Sequence, residues 1–122
     1  LYAVLEAAVA GSLADHRPIA RDGAALTVVM ASEGYPGSYP KGSEITGMDR
    51  AAAAPDTLVF HAGTRRDGDR IVTSGGRVLG VTGLGSTLAA AQQRAYAACE
   101  QIRFAGAYYR RDIGAKALRL GG

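Results

Sequence analysis

The sequence predicts an α+β domain, a small antiparallel sheet or half-barrel flanked by helices. Three observations lead there. The middle of the chain alternates short β-branched runs with tight glycine turns. Its two ends instead carry apolar residues at helical spacing. And 122 residues with 48% hydrophobic content make one domain that can bury a core without staples.

Residues 1–14 open the chain as an amphipathic helix, with Leu1, Val4, Leu5, Ala8, Val9 and Leu13 near one face. Gly11 and Ser12 weaken its end, and Pro18 forbids its continuation. After the turn signal Asp22-Gly23, residues 26–31 (LTVVMA) read as a strand buried on both faces. Residues 32–47 hold two prolines and three glycines before Ser43, the composition of a structured loop. Residues 49–54 allow one helical turn, which Pro55 ends. Strands follow at 57–62, 71–74 and 77–82. Arg66-Asp67-Gly68-Asp69 reads as the hairpin turn between the first two, and Ser74-Gly75-Gly76 as the turn between the second and third, so these strands are expected to run antiparallel. Gly83-Leu84-Gly85-Ser86 then closes the sheet and opens a helix from about 88 to 102, capped by Ser86 or Thr87. Leu88, Ala91, Ala95, Cys99 and Ile102 share one face of that helix. A short basic tail ends in a helical turn through Leu118.

Composition excludes several functions. No apolar run approaches the roughly 20 residues a membrane span needs. A single cysteine excludes an internal disulfide and a Cys-rich zinc site, and fits a reducing cytosol. The net charge is +3, but the basic residues are scattered. Lys41 and Lys116 are the only lysines, and the arginines form just two adjacent pairs, Arg65-Arg66 and Arg110-Arg111. A nucleic-acid footprint would be a stripe or block, so no nucleic-acid partner is expected. The chain starts at Leu1, already inside a helical pattern, and a segment of something longer is expected.

No complete active site is visible in the residues themselves. Cys99 sits at a core position. His16 and His61 are isolated, without the spaced partners of a metal site. Gly83-Leu84-Gly85 begins a dinucleotide fingerprint, but Leu88 stands where its third glycine belongs. Ser38 lies between Pro36 and Pro40, not in a nucleophile elbow, and no catalytic acid pair is evident. Two places stand out. In the loop from Gly34 to Gly42, backbone N–H groups and Lys41 could converge on an anion. In Ser74-Gly75-Gly76-Arg77, glycines allow close backbone approach and the guanidinium can grip a phosphate bidentately. Each could equally be a plain turn.

Four collinear stretches carry a family resemblance: GYPGSYPKGSEITG, LVFHAGT, SGGRVLGVTGLGSTLAAAQQRAY and FAGAYYRRDIG. From about residue 28 to residue 118 the chain resembles the C-terminal domain of the phosphoribosylamine–glycine ligases, members of the ATP-grasp superfamily. The resemblance implies a connecting helix and linker over 1–25 and that C-terminal domain over 26–122. It implies a cytoplasmic ligase of purine biosynthesis. ATP phosphorylates glycine, and the amine of 5-phosphoribosylamine attacks the glycyl phosphate to give glycinamide ribonucleotide. It also implies that ATP and Mg²⁺ (or Mn²⁺) are held by upstream ATP-grasp domains of the same enzyme, since the family's metal-binding Glu and Asn lie there. No catalytic residue and no metal ligand is expected in this segment. Related purine-pathway ligases place a basic residue just before a Leu-Gly-Val stretch to bind the ribonucleotide phosphate. Here Leu79-Gly80-Val81 follows Arg77, which the resemblance therefore assigns to the 5′-phosphate, assisted by the backbone of Gly75 and Gly76. Lys41 with Ser38 and Tyr39, and His61 with Thr64, are implied as neighbours of that site. The alternative is a non-catalytic binding module for an acidic partner or ligand.

Overall fold

The computed structural model describes residues 1–17 and 19–120. Helix α1 (Tyr2–Ala10) ends at Gly11, whose φ of 73° lets Ser12 N–H reach back to Ala7 O at 2.9 Å. A 3-10 turn, Leu13–Asp15, replaces the expected last helical turn. The stop expected at Pro18 lies outside the described residues. Strand β1 (Ala24–Ser32), helix α2 (Met48–Ala53) and strands β2 (Thr57–His61), β3 (Thr64–Asp67), β4 (Arg70–Thr73) and β5 (Arg77–Gly85) follow. Helix α3 (Leu88–Cys99), strand β6 (Ala107–Tyr108) and helix α4 (Ala115–Leu120) complete the order.

Four strands form an antiparallel sheet in the order β2-β5-β1-β6, and β3 and β4 form a separate two-stranded ribbon. The expected antiparallel sheet with flanking helices is present. Helices α2 and α3 flank it, whereas α1 packs on the 3-10 turn and buries only Ala7.

Two expected pairings are corrected. The Asp-Gly turn joins β3 to β4, pairing Asp67 with Arg70, and does not join β2 to β4. The sequence of β3 (TRRD) has no apolar alternation, so nothing marked it as a strand. Likewise Ser74–Gly76 is no hairpin turn. It carries the chain out of the ribbon into β5, which pairs with β1 and β2.

Gly83 and Gly85 belong to β5, not to a turn. A Cβ on Gly83 would fall 2.6 Å from Ala95 N, and one on Gly85 2.7 Å from Ala91 N. The two glycines let α3 lie directly on the strand backbone. Thr87 caps α3 by accepting from Ala90 N–H at 3.2 Å. The helix ends at Cys99, and Ile102 stays in the core from the loop beyond.

Val28 and Met30 of β1 and Leu79 and Val81 of β5 meet Ala91, Ala95 and Cys99 of α3 in that core. Burial pushes the Cys99 thiol up to about 12, so it stays protonated and unreactive at neutral pH.

A candidate anion-binding corner at one end of the sheet

Because β5 runs antiparallel to both β1 and β2, three chain ends arrive together. The last residues of β1 and β2 lie beside the first residues of β5, with Ala31 opposite Arg77 and His61 opposite Leu79. Every residue expected at the site belongs to these ends or to the loops beside them, except Thr64, which opens β3 next to the end of β2.

The centre of the corner is a contact between two glycines. A Cβ at Gly63 would lie 2.7 Å from Gly75 Cα and 2.9 Å from Gly75 N. Only glycine permits this approach. Three hydrogen bonds fix it: Gly63 N–H to Arg77 O at 2.8 Å, Ser74 N–H to Gly63 O at 2.8 Å, and Gly75 N–H to Gly63 O at 3.1 Å. The turn that carries Arg77 is thus tied to the segment that follows His61.

The second tie is Ser32, which is buried. Its N–H donates to Gly76 O at 2.8 Å, and its carbonyl accepts from Tyr35 N–H at 3.1 Å. A break in the β1–β5 register between Met30 and Ala31 brings Ser32 to this point. The long loop returns to the same corner at its far end, where Gly42 N–H donates to Thr73 O at 2.7 Å.

Expected site residues fall into three groups. Arg77 is exposed and has no carboxylate partner among the described residues. Of the two turn amides, that of Gly75 is given to Gly63, while Gly76 N–H finds no partner among the described residues. His61 and Thr64 hold each other, Nδ1 to Oγ1 at 3.0 Å, beside the Gly63 contact. Lys41 and Tyr39 lie on the loop, with the Lys41 ammonium 5.7 Å from the Tyr39 ring centroid and no carboxylate partner among the described residues. Ser38 is exposed, and its carbonyl closes the turn against Gly34; no contact draws its side chain to Arg77.

Sequence reasoning missed Gly63, Ser32 and Tyr35. Gly63 and Tyr35 sit inside stretches already singled out, but nothing local shows which backbone each will meet.

The corner is open rather than enclosed. Clefts of about 540 and 590 Å³ lie at the opposite end of the sheet and along α4, and none of the expected site residues lines either. In the first, Arg94 is committed to Asp56 at 3.1 Å and to Leu84 O at 2.5 Å, so its charge already serves the fold.

Residues 25–116 match the family described as phosphoribosylglycinamide synthetase, C domain. The chain is 53% identical over 118 residues to a phosphoribosylamine–glycine ligase of Chlorobaculum tepidum, an alignment covering 97% of this chain and 28% of that protein. It is 49% identical over 119 residues to the trifunctional purine biosynthetic protein adenosine-3 of Gallus gallus, covering 97% of this chain and 12% of that one. The crystal structure of phosphoribosylamine–glycine ligase from Thermotoga maritima superposes with a TM-score of 0.71 at 37% identity, over 89% of this chain and 27% of that one. The chain therefore spans somewhat over a quarter of the length of the single-activity ligases it matches.

Proposed function

The chain belongs to the family of phosphoribosylglycinamide synthetase C domains, and from that premise we propose that it forms the ribose-phosphate wall of an ATP-dependent ligase. The complete ligase joins glycine to 5-phosphoribosylamine, giving glycinamide ribonucleotide for purine biosynthesis in the cytoplasm. The observation that carries this reading is the open corner. There Arg77, without a carboxylate partner among the described residues, leaves a turn locked by the Gly63–Gly75 contact, and the Lys41 loop is tied to the same corner by Gly42 N–H to Thr73 O.

A phosphate dianion fits that set. The guanidinium offers a bidentate fork, and an amide from the turn adds a donor aimed by rigid backbone. His61, Thr64 and Tyr39 line its approaches. On this reading the wall binds and orients. Fixing the sugar phosphate places that amine for attack on activated glycine, and positioning of this kind accounts for much of the rate in such transfers.

The donor set here does not fit a metal. Among the described residues there is no group of three or more His, Cys, Asp or Glu that could hold one. From the family resemblance we infer that ATP and Mg²⁺ or Mn²⁺ are held by upstream ATP-grasp domains of the complete ligase. Two surfaces support such a partner. Phe60, Gly80 and Val29 form one row across β2, β5 and β1, and Leu58, Thr82 and Thr27 the next, on the sheet face away from α3. Phe60 is 54% exposed there. Helix α1 leaves Leu1, Tyr2, Leu5 and Val9 exposed, in keeping with residues 1–25 as a connecting helix and linker. No described helix is long and apolar enough to cross a membrane, and neither a membrane nor a nucleic acid is proposed as a partner.

The test is Arg77→Ala in the complete ligase. Loss of a charge-assisted phosphate contact costs about 1.5–3 kcal/mol. The KM for 5-phosphoribosylamine is expected to rise by roughly one to two orders of magnitude, with the KM for glycine little changed. An unchanged KM for 5-phosphoribosylamine removes Arg77 from the site.

A further inference from the structure

The loop at 34–42 and the turn at 75–77 are far apart in sequence, and one aromatic ring joins them. A Cβ at position 76 would fall 2.6 Å from Tyr35 Cε2 and 2.8 Å from Tyr35 Cγ, so the ring occupies the space a side chain at 76 would need. The Tyr35 backbone and the glycine beneath its ring hang from the same buried residue. Ser32 O accepts from Tyr35 N–H, and Ser32 N–H donates to Gly76 O. The Tyr35 ring also meets Tyr39 edge-on, with centroids 6.0 Å apart and planes at 64°. The Tyr39 ring in turn carries the Lys41 ammonium at 5.7 Å. A continuous column runs from the Gly76 backbone through two tyrosines to Lys41.

Core packing does not account for this ring, which is 41% exposed. What it covers is the most permissive backbone of the corner. A Gly-Gly pair has no side chains to hold it and loses the most freedom when ordered. Arg77, one residue on, inherits any wobble.

We propose that Tyr35 is a positioning residue for the phosphate corner. Its ring pins the Gly76–Arg77 backbone and, through Tyr39, sets Lys41, so that the two cations address one phosphate. The proposal rests on the reading of that corner as the site of the 5-phosphoribosylamine phosphate.

The experiment is a double-mutant cycle in the complete ligase, with Tyr35→Ala, Arg77→Ala, the pair, and Tyr35→Phe. Tyr35→Ala is expected to raise the KM for 5-phosphoribosylamine about three- to tenfold while the KM for glycine stays within about twofold. Tyr35→Phe keeps the ring and retains the parental KM. In the Arg77→Ala background, Tyr35→Ala adds clearly less than it does alone, because one of the two cations it sets is gone and only its hold on Lys41 remains. Tyr35→Leu, which keeps an apolar cover over Gly76, gives a smaller rise than alanine and serves if the alanine variant does not fold. An unmoved KM, an equal loss for glycine, or the full Tyr35→Ala effect repeated on Arg77→Ala overturns the proposal. Arg77→Ala without effect overturns the phosphate reading itself.

Discussion

Gly63→Ala tests whether the corner depends on backbone contact rather than on its charged side chains. The added Cβ meets Gly75 Cα at 2.7 Å, Gly75 N at 2.9 Å, and the Arg77 carbonyl closer still. All three are main-chain atoms, so no flexible side chain can swing aside. Gly63 has no positive φ, so the penalty is steric and not conformational. Overpacking of this kind costs about 1–3 kcal/mol. Separating the two segments also weakens the bonds from Gly63 N–H to Arg77 O and from Ser74 and Gly75 N–H to Gly63 O, at about 1 kcal/mol each. With partial relaxation the sum is about 2–4 kcal/mol. At roughly 4 °C per kcal/mol for a domain of this size, the melting temperature falls by about 8–15 °C.

Gly80→Ala is the control on the same strand system. Its Cβ would meet Thr27 Cγ2 at 3.6 Å and Phe60 Cβ at 3.9 Å, ordinary contacts. A change of no more than about 0.5 kcal/mol is expected there. Thermal melting of both variants by circular dichroism decides the matter. If Gly63→Ala melts with Gly80→Ala, the glycine contact does not organise the corner.

Two further substitutions test the body of the domain. Thr27 and Thr82 share a hydrogen bond of 2.7 Å between their hydroxyls, with Thr82 nearly buried and Thr27 exposed. Thr27→Val therefore strands the buried hydroxyl and costs about 1–2 kcal/mol in urea unfolding, Thr82→Val costs less, and the double variant recovers toward the parent; equal single effects that simply add would contradict this. Cys99 gives a pH signature. Its thiol is raised from 9.0 to about 12 by burial, so below pH 9 both folded and unfolded chains keep the proton, and above it only the unfolded chain ionises. Stability drains away at up to about 1.4 kcal/mol per pH unit as pH rises from 9 toward 12. Cys99→Ala lacks that component, and stability curves that fall in parallel for both proteins would refute it.

Local chemistry made most elements legible. The β-branched run at 26–31 forms β1, Pro55 follows soon after α2 ends, and Thr87 caps α3 as a threonine before an alanine-rich helix should. What failed was pairing. An Asp-Gly turn signals that two flanking segments pair, but not which segments those are, and the polar TRRD of β3 supplied no pattern. Gly83 and Gly85 look like a turn because glycine is ambiguous between a bend and a close approach, and only the α3 backbone resting on them decides. The site shows the same division. Arg77, Lys41 and His61 could be picked by residue type and family resemblance, whereas Ser32 and Gly63 act through main-chain bonds that join distant segments. Backbone atoms are the same in every residue, so such bonds leave no compositional trace.

That division explains why the corner is open. Carboxylates answer the cations Arg65, Arg70, Arg94, Arg110 and Arg111. Among the described residues Arg77 and Lys41 have no such answer, nor do Arg50, Arg66 and Arg103, but Arg77 also leaves a turn held by main-chain bonds to Gly63 and Ser32. A cation held on rigid backbone and kept in water costs the fold little, because it remains solvated. The same cation gains strength when a second surface closes over it and the local dielectric falls. On the proposed reading, the wall would bind a phosphate more firmly against the remainder of a ligase, and the row of Phe60, Gly80 and Val29 offers a face through which that remainder could dock.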